Sequence, residues 1–339
     1  MKPATIRDVA HKAGVGLGTV SRVINDSLLV SDATRERVHK AIEELNFIPN
    51  PTARRLSLGK TLTIAAIVPF FTRPSFIERL RGIELTLAES EYVLNIYNVE
   101  TIERRDQCMR QIPRKELADG VLIISLSPRD ADIPYLTSAN VPIVLIDANH
   151  PSLTSLNRVV VNDVEGGRTA TQHLIDIGHR QIGFISDLLE NPFNFTSSRN
   201  RFQGYLEALE NAGIPFKPEY HHQCEHERYE ARRLAAEILA LPDRPTAIFA
   251  ASDTLAMGVL EAARDSNLRV PEELSVIGYD DIEIAEYLEL TTIRQLLFES
   301  GQRSVNVLLK TLEGTLTEPT CEVLPTELIV RKTTMSPPF

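Results

Sequence analysis

The chain has 339 residues, roughly two average domains at about 100–200 residues each, enough to bury a core without disulfide or metal staples. At 43% hydrophobic and 24% charged residues it has the composition of an ordinary globular protein, which excludes a disordered or fibrous chain. No run approaches the roughly 18 apolar residues of a membrane span. Cys108, Cys224 and Cys321 are odd in number and far apart, which fits a reducing compartment, and the first residues lack the apolar stretch of a cleaved secretion signal. A cytoplasmic protein without a membrane partner is expected.

Charge divides the chain unevenly. The total is −10, yet residues 1–60 hold four Lys and six Arg against three Asp and three Glu, a net of +4, so the remainder carries −14. A basic head on an acidic body directs the head alone at a polyanion.

Taken in order, the head reads as three short helices. Thr5 is a candidate N-cap, with Asp8 in the first turn and Val9, Ala10 and Ala13 at helical spacing. Gly14 breaks that helix. A second helix, from about Leu17 to Asn25, would bury Val20, Val23 and Ile24 and present Thr19, Ser21 and Arg22 outward. Ser31 opens a third, whose Val38, Ala41, Ile42 and Leu45 form an i, i+3, i+4, i+7 stripe that ends before Pro49. Two helices joined by a tight glycine turn in a basic module form the helix-turn-helix pattern, whose second helix fits the major groove. A three-helix packing module without DNA has the same spacing.

The residues themselves are more specific. Ile6-Arg7-Asp8-Val9-Ala10, Ala13-Gly14-Val15, Thr19-Val20-Ser21-Arg22-Val23-Ile24-Asn25, Val30-Ser31, Thr34-Arg35 and Phe47-Ile48-Pro49-Asn50 resemble the headpiece of the lactose/galactose repressor family. The segment Asn50-Pro51-Thr52-Ala53-Arg54-Arg55-Leu56 is similar to that family's hinge helix, and the likeness continues to residue 332. By this resemblance Leu17, Gly18 and Arg22 would face base edges, and Thr5, Thr19, Ser21, Asn25, Ser31 and Thr34 would contact phosphates. Asn50, Ala53, Arg54 and Leu56 would belong to the DNA-binding hinge, with Ala53 and Leu56 in the minor groove and the paired leucines wedged between base steps. Two departures stand out. Gly16 occupies a position where a capping Ser is usual, and Leu17 and Gly18 offer no hydrogen bond to a base.

Beyond the head, apolar runs alternate with amphipathic helical stretches: Leu62–Val68, Val93–Tyr97, Val121–Leu126, Ile143–Ile146, Val159–Val161, Ile182–Ile185, Ala247–Ala250 and Ser275–Gly278. Uninterrupted apolar strands between helices predict parallel sheets covered on both faces, and their number predicts two doubly wound α/β subdomains. The resemblance implies a periplasmic-binding-protein-like core with three chain crossings near Asn162, Thr292 and Glu322. That divides the chain into a headpiece (1–49), a hinge (50–60) and a core (61–339). Within the core, one subdomain would take about 61–161 and 293–321, the other about 162–292 and 322–339.

In this fold class ligands bind at strand carboxyl ends, here between the subdomains. Ser197 and Arg201 lie in Thr196-Ser197-Ser198-Arg199-Asn200-Arg201-Phe202-Gln203-Gly204, which resembles the family segment whose second arginine binds an effector. Asp280, in Ile277-Gly278-Tyr279-Asp280-Asp281, matches the family's acidic ligand. Ser252 matches a polar ligand position, while Asp253 is expected to cap the next helix. Asp147 and Phe76 also align with cleft positions. Phe193 and Phe195 precede the arginines, either as an aromatic platform for a sugar ring or in a surface loop with one anchoring Phe.

Other motifs fail. Gly14-Val15-Gly16-Leu17-Gly18 follows a helix, Gly59-Lys60-Thr61 lacks the first P-loop glycine, and no G-x-S-x-G elbow is present. His222, Cys224 and His226 would share a strand face and could hold a metal, but the family has none there, and neither metal nor cofactor is expected. No leucine heptad follows Lys332. The expectation is therefore a non-enzymatic regulator of transcription, in the manner of a repressor. It would bind pseudo-palindromic double-stranded operator DNA as a homodimer on the nucleoid, under control of a small, sugar-like effector. A sugar-transport protein would share the body but would have no use for the basic head.

Overall fold

The computed structural model of the protein describes residues 4–25, 27, 29–48 and 59–337. The head forms α1 (Ile6–Ala13), α2 (Leu17–Ile24) and α3 (Asp32–Glu44). Thr5 precedes α1, and its N–H donates to the Asp8 carboxylate at 2.8 Å, closing the first turn. Gly14 ends the helix at φ +64°, where a Cβ would be strained. Val9, Ala13, Val20, Val23, Val38 and Ala41 make a small shared core. Ile24, Ile42 and Leu45, expected inside, are only partly buried and pack against its rim. Lys12 and Glu44 tie α1 to α3 at 2.6 Å. Asn50, Ala53, Arg54 and Leu56, the expected hinge contacts, lie outside the described residues.

The body is built on two parallel sheets. The first contains β1 (Thr63–Pro69), β2 (Val93–Val99), β3 (Gly120–Ile124), β4 (Ile143–Ile146), β5 (Asn157–Val161) and β11 (Cys321–Leu324), in the order β2-β1-β3-β4-β5-β11. Alternation fills both faces of this sheet. Ile64, Ala66 and Val68 of β1 face a cluster with α4 (Pro74–Leu87) and α12 (Leu297–Leu312), while Ala65 and Ile67 face α5 (Ile102–Gln111), near the short α6 (Ile133–Thr137). Strand β2 departs from the expectation of full cover. It lies at the sheet edge, with Val93 and Ile96 51% and 43% exposed.

The second sheet runs β7-β6-β8-β9, from β6 (Ile182–Asp187), β7 (His221–Cys224), β8 (Ala247–Ala250) and β9 (Ser275–Ile277). Helices α7 (Asp163–Asp176), α8 (Ser197–Asn211), α9 (Arg228–Leu239) and α10 (Asp253–Asp265) cover it, with the short α11 (Glu283–Tyr287) following β9. The second and third crossings fall later than expected. β10 (Thr292–Arg294) pairs antiparallel with β12 (Glu327–Ile329) and bridges β9 through Ile277 and Thr291. The chain therefore leaves this lobe only at Gln295. Glu322 pairs with Val159 inside the first sheet, so the last crossing follows Leu324. These short, polar connecting strands carry no apolar run to reveal them.

Helix α8 is seated on α7 through glycine. A Cβ on Gly204 would run into the backbone of Val164 and Arg168, and one on Gly167 into the backbone of Arg201. A matching crossing seats α4 on α12, where Gly82 meets the Phe298 carbonyl and Gly301 the Arg79 carbonyl. Backbone cannot yield as a side-chain end does, so Gly204→Ala should lower stability by roughly 1–3 kcal/mol. An unchanged urea-unfolding midpoint would mean that α8 can shift without loss.

Candidate functional site

The strands of both lobes direct their carboxyl ends at one cleft. There they enclose a cavity of about 60 Å3, room for a handful of waters. All six core residues singled out from the sequence line it: Phe76, Asp147, Ser197, Arg201, Ser252 and Asp280. Asp147 and Asp280 are displayed by left-handed backbone, at φ +50° and +113°, just beyond β4 and β9. Strain of that kind costs on the order of 1–3 kcal/mol and persists where the surroundings enforce it.

Arg201 is buried in the second lobe. Its Nε donates to Asp163 at 2.8 Å, its Nη1 to the Ala251 carbonyl at 2.6 Å, and its guanidinium lies 3.7 Å above the Tyr279 ring. Asp280 stands 3.6 Å away. Burial opposes the charge on Arg201, but Asp163, Tyr279 and Asp280 outweigh it and hold its pKa above the ordinary arginine value. Burial pushes the Asp280 carboxyl up to about 6, against the pull of Arg201, His226 and Gln295.

The first lobe contributes a counterpart that the sequence reading missed. Arg79 is fully buried and donates to Ser125 at 2.9 Å, Asp147 at 3.0 Å, Ser300 at 3.2 Å and Gln295 at 3.0 Å. Gln295, at the second crossing, in turn donates to Asp280. One unbroken chain of hydrogen bonds thus links a guanidinium in one lobe to a carboxylate in the other. The available signal was Arg79 itself, a cation inside the stripe Phe76, Leu80, Ile83, Leu87 of α4. Gln295 gave none.

One other expectation is corrected. Ser252, not Asp253, caps α10, its hydroxyl accepting from the Leu255 N–H at 3.2 Å. Asp253 is fully buried and accepts from Thr292 Oγ1 at 2.6 Å and Ile282 N–H at 3.0 Å. The histidine-rich tract does not assemble. Strand β7 stops at Cys224, which is buried; His221 stacks on Phe202; His226 pairs with Asp187 at 2.9 Å. Among the described residues no three potential ligands cluster around a metal position. Burial alone would raise the Asp187 pKa, but His226, Arg73 and Ser198 prevail and hold it low. Asp187 ends β6 and lines the same cavity as Asp147 and Asp280; ending that strand at Ile185 hid it. Arg199, beside Arg201 in sequence, is exposed and does not line the cavity.

The segment between β6 and α8 spans the cleft. Asn194 Nδ2 donates to the Ser127 and Pro128 carbonyls of the first lobe, and Arg129 donates to the Pro192 carbonyl. Phe193 and Phe195 stack with centroids 5.4 Å apart, and Phe193 meets Phe70 edge-on at 5.2 Å. In the head, one face of α2 presents Leu17, Gly18 and Arg22 to solvent, with Thr19, Ser21 and Asn25 half-buried beside them. Thr5, Ser31 and Thr34 lie at the helix starts, where Ser31 Oγ donates to Thr34 at 3.1 Å.

Comparison with known proteins agrees with this architecture. Residues 5–50 match the profile of bacterial regulatory proteins of the lacI family, and residues 171–334 that of a periplasmic binding protein-like domain. The HTH-type transcriptional repressor PurR of Erwinia tasmaniensis is 36% identical, over 99% of this chain and 98% of that protein. Among solved structures, the lac repressor dimer bound to operator and the anti-inducer ONPF superposes with a TM-score of 0.85 at 30% identity, covering 98% of this chain and 100% of the other. A complex of the transcriptional regulator CelR with cellobiose gives a TM-score of 0.72 at 33% identity, over 97% and 99%. A helix-turn-helix head, a two-lobed body and full-length likeness to repressors together place the chain in the lacI family of bacterial regulatory proteins.

Proposed function

We propose that this regulator binds its operator as a homodimer in the cytoplasm and that a small, sugar-like molecule held between the lobes sets its DNA affinity. The observation that carries the reading is the cleft itself. Each lobe contributes a buried arginine with carboxylate partners to one cavity, and Gln295 joins them at a chain crossing. Planar guanidinium forks and carboxylates suit vicinal hydroxyls, and the similar regulator solved with cellobiose holds a sugar. Ligand contacts made by both lobes favour one relative lobe angle, and a ligand shifts an equilibrium only through such a difference. In the present proposal the segment 50–60 carries that change to the head. Isolated helices so short are marginal in water and need DNA and a partner to form. A thermal-shift screen of sugars and sugar acids tests the reading directly, since a ligand of the folded state raises the melting temperature by mass action.

On the DNA side, Arg22 is the one long donor on the exposed face of α2. Arg22→Ala should lose roughly 1–3 kcal/mol on the cognate operator and relax discrimination at one base pair. Equal weakening on all sequences in a binding-site competition would assign Arg22 to a phosphate instead.

Within the cleft, Arg201→Ala and Asp280→Ala should each weaken effector binding at least several-fold, because removing one partner of a buried charge-assisted hydrogen bond leaves the other unsatisfied. Effector-free DNA binding should stay nearly intact. Full effector response in either variant, titrated by calorimetry, would remove that residue from the site. A pH profile adds a second check. The raised Asp280 carboxyl is protonated below about 6, where it faces Arg201, Gln295, His226, Arg79 and Asp253 as a neutral acceptor; above that it is a carboxylate and accepts ligand hydroxyls more strongly. Affinity should therefore rise between about pH 5 and about pH 7, and Asp280→Asn should lack that step. A flat wild-type profile would place Asp280 outside the contacts.

A further inference from the structure

The strands of the first sheet begin at the end of the lobe remote from the cleft, and the chain enters the body there. Thr61 and Leu62 donate their N–H groups to the Asp119 carboxylate at 2.9 and 2.8 Å, one residue before β3 starts at Gly120. DNA held by the head therefore lies beyond this end of the body.

The same end carries a shallow cavity of about 280 Å3 on the α5 face of the sheet. It is formed by the end of α5, the turn leading into β3 and the turn from α6 into β4. Arg110, Arg114 and Lys115 line it, with Glu116 as the single acid. The turn is firmly built. The Arg114 carbonyl accepts from the Leu117 and Ala118 N–H groups at 2.9 and 3.1 Å, Ile112 and Ala118 are buried, and the Arg110 guanidinium lies 5.5 Å over the Tyr135 ring.

All three cations are exposed, and among the described residues none has a carboxylate or carbonyl partner. Exposed arginines elsewhere on the body are neutralised locally: Arg168 by Glu165, Arg232 by Asp265, Arg233 by Glu230. Three cations against one acid, on a body whose residues 61–339 carry −14, reverse the field at one point. On the opposite face of the sheet this end is acidic, with Glu89, Glu91 and Glu313 around Lys60. A polyanion is thus admitted on the α5 side and repelled on the other.

We propose that this pocket is a second DNA contact, receiving backbone phosphates of the duplex outside the base pairs that the heads read. Guanidinium forks and an ammonium match phosphate oxygens, and such contacts add affinity and fix orientation without reading sequence. Two heads on one duplex hold it across this end of both bodies, which sets DNA ahead of a free anion as the source of the phosphate. The inference rests on the operator-binding reading above.

The test uses the full-length protein and an operator selected by it from random-sequence DNA. The operator is prepared in two forms, trimmed to the bases the heads protect or extended on each side by about 10 base pairs, one helical turn. The wild type should bind the extended form about threefold or more tighter at low salt. A variant carrying Arg110→Gln, Arg114→Gln and Lys115→Gln should bind both forms equally. On the extended form its log affinity should fall with log salt less steeply by about two, one phosphate lost per subunit at ~0.9 each. Its affinity for the trimmed form should stay within about twofold of wild type, which verifies head and fold. Glu116→Lys should strengthen binding of the extended form alone, a gain that misfolding does not produce. Equal binding of both forms by the wild type, or equal loss on both in the triple variant, overturns the flank contact and leaves the operator reading standing. Saturable calorimetric binding of inorganic phosphate that the triple variant lacks, without a flank effect, assigns the pocket to a small anion and overturns it too. Failure of the wild type to select any operator overturns the inference and the operator reading together.

Discussion

Two guanidiniums buried in separate lobes dictate most of what surrounds them. A charge removed from water must be matched by fixed partners or it destabilises the fold. Arg201 is matched by Asp163, the Ala251 carbonyl and the Tyr279 ring; Arg79 is matched by Asp147, Ser125, Ser300 and Gln295. Those partners come from strand ends, a helix start and a chain crossing, so the network fixes how these elements meet. It also accounts for the left-handed backbone at Ser125, Asp147 and Asp280. Each of these residues turns its side chain inward where ordinary strand geometry would not.

The same network fits the proposed effector response, in which the lobes move as units. Within each lobe the packing is apolar and continuous. Between the lobes the described contacts at the cleft are largely polar, and polar contacts can be exchanged for ligand or water at small net cost. Gln295 sits at the junction of both kinds. Its amide oxygen serves Arg79 and its amide nitrogen serves Asp280, on the stretch of chain that passes from one lobe to the other.

Much of this was legible in the sequence, and the limits have physical causes. The head was readable because its caps and its glycine turn are local: Thr5, Gly14 and Ser31 act within four residues of their own positions. Strands β4 and β8 matched their apolar runs end to end because both faces are buried. Elements stabilised from a distance were not readable. Strands β10, β11 and β12 are short and partly polar, and exist because a neighbour already presents an open ladder. Asp253 looks like a cap because Asp caps helices; only the tertiary approach of Thr292 and the Ile282 N–H shows that it is an interior acceptor. Arg201 and Asp280 came from family likeness, which locates ligand positions but says nothing of Arg79 or Gln295, whose roles depend on contacts more than 200 residues apart in sequence.

The glycine crossings have a consequence for how such a protein can change its ligand. Where Gly167 and Gly204, or Gly82 and Gly301, bring helix backbones together, the positions of Arg201 and Arg79 are set by main-chain contact. Side-chain drift elsewhere cannot move them, and drift at the glycines themselves is penalised before any new specificity appears. The connection between β6 and α8 has no such backbone crossing: its ends are fixed by the strand and the helix, and between them it is held by the Asn194 amide, the Pro192 carbonyl and the Phe193 ring. The scaffold thus separates what must be inherited unchanged from what can be altered one loop at a time, and a new ligand can be acquired without renegotiating the fold.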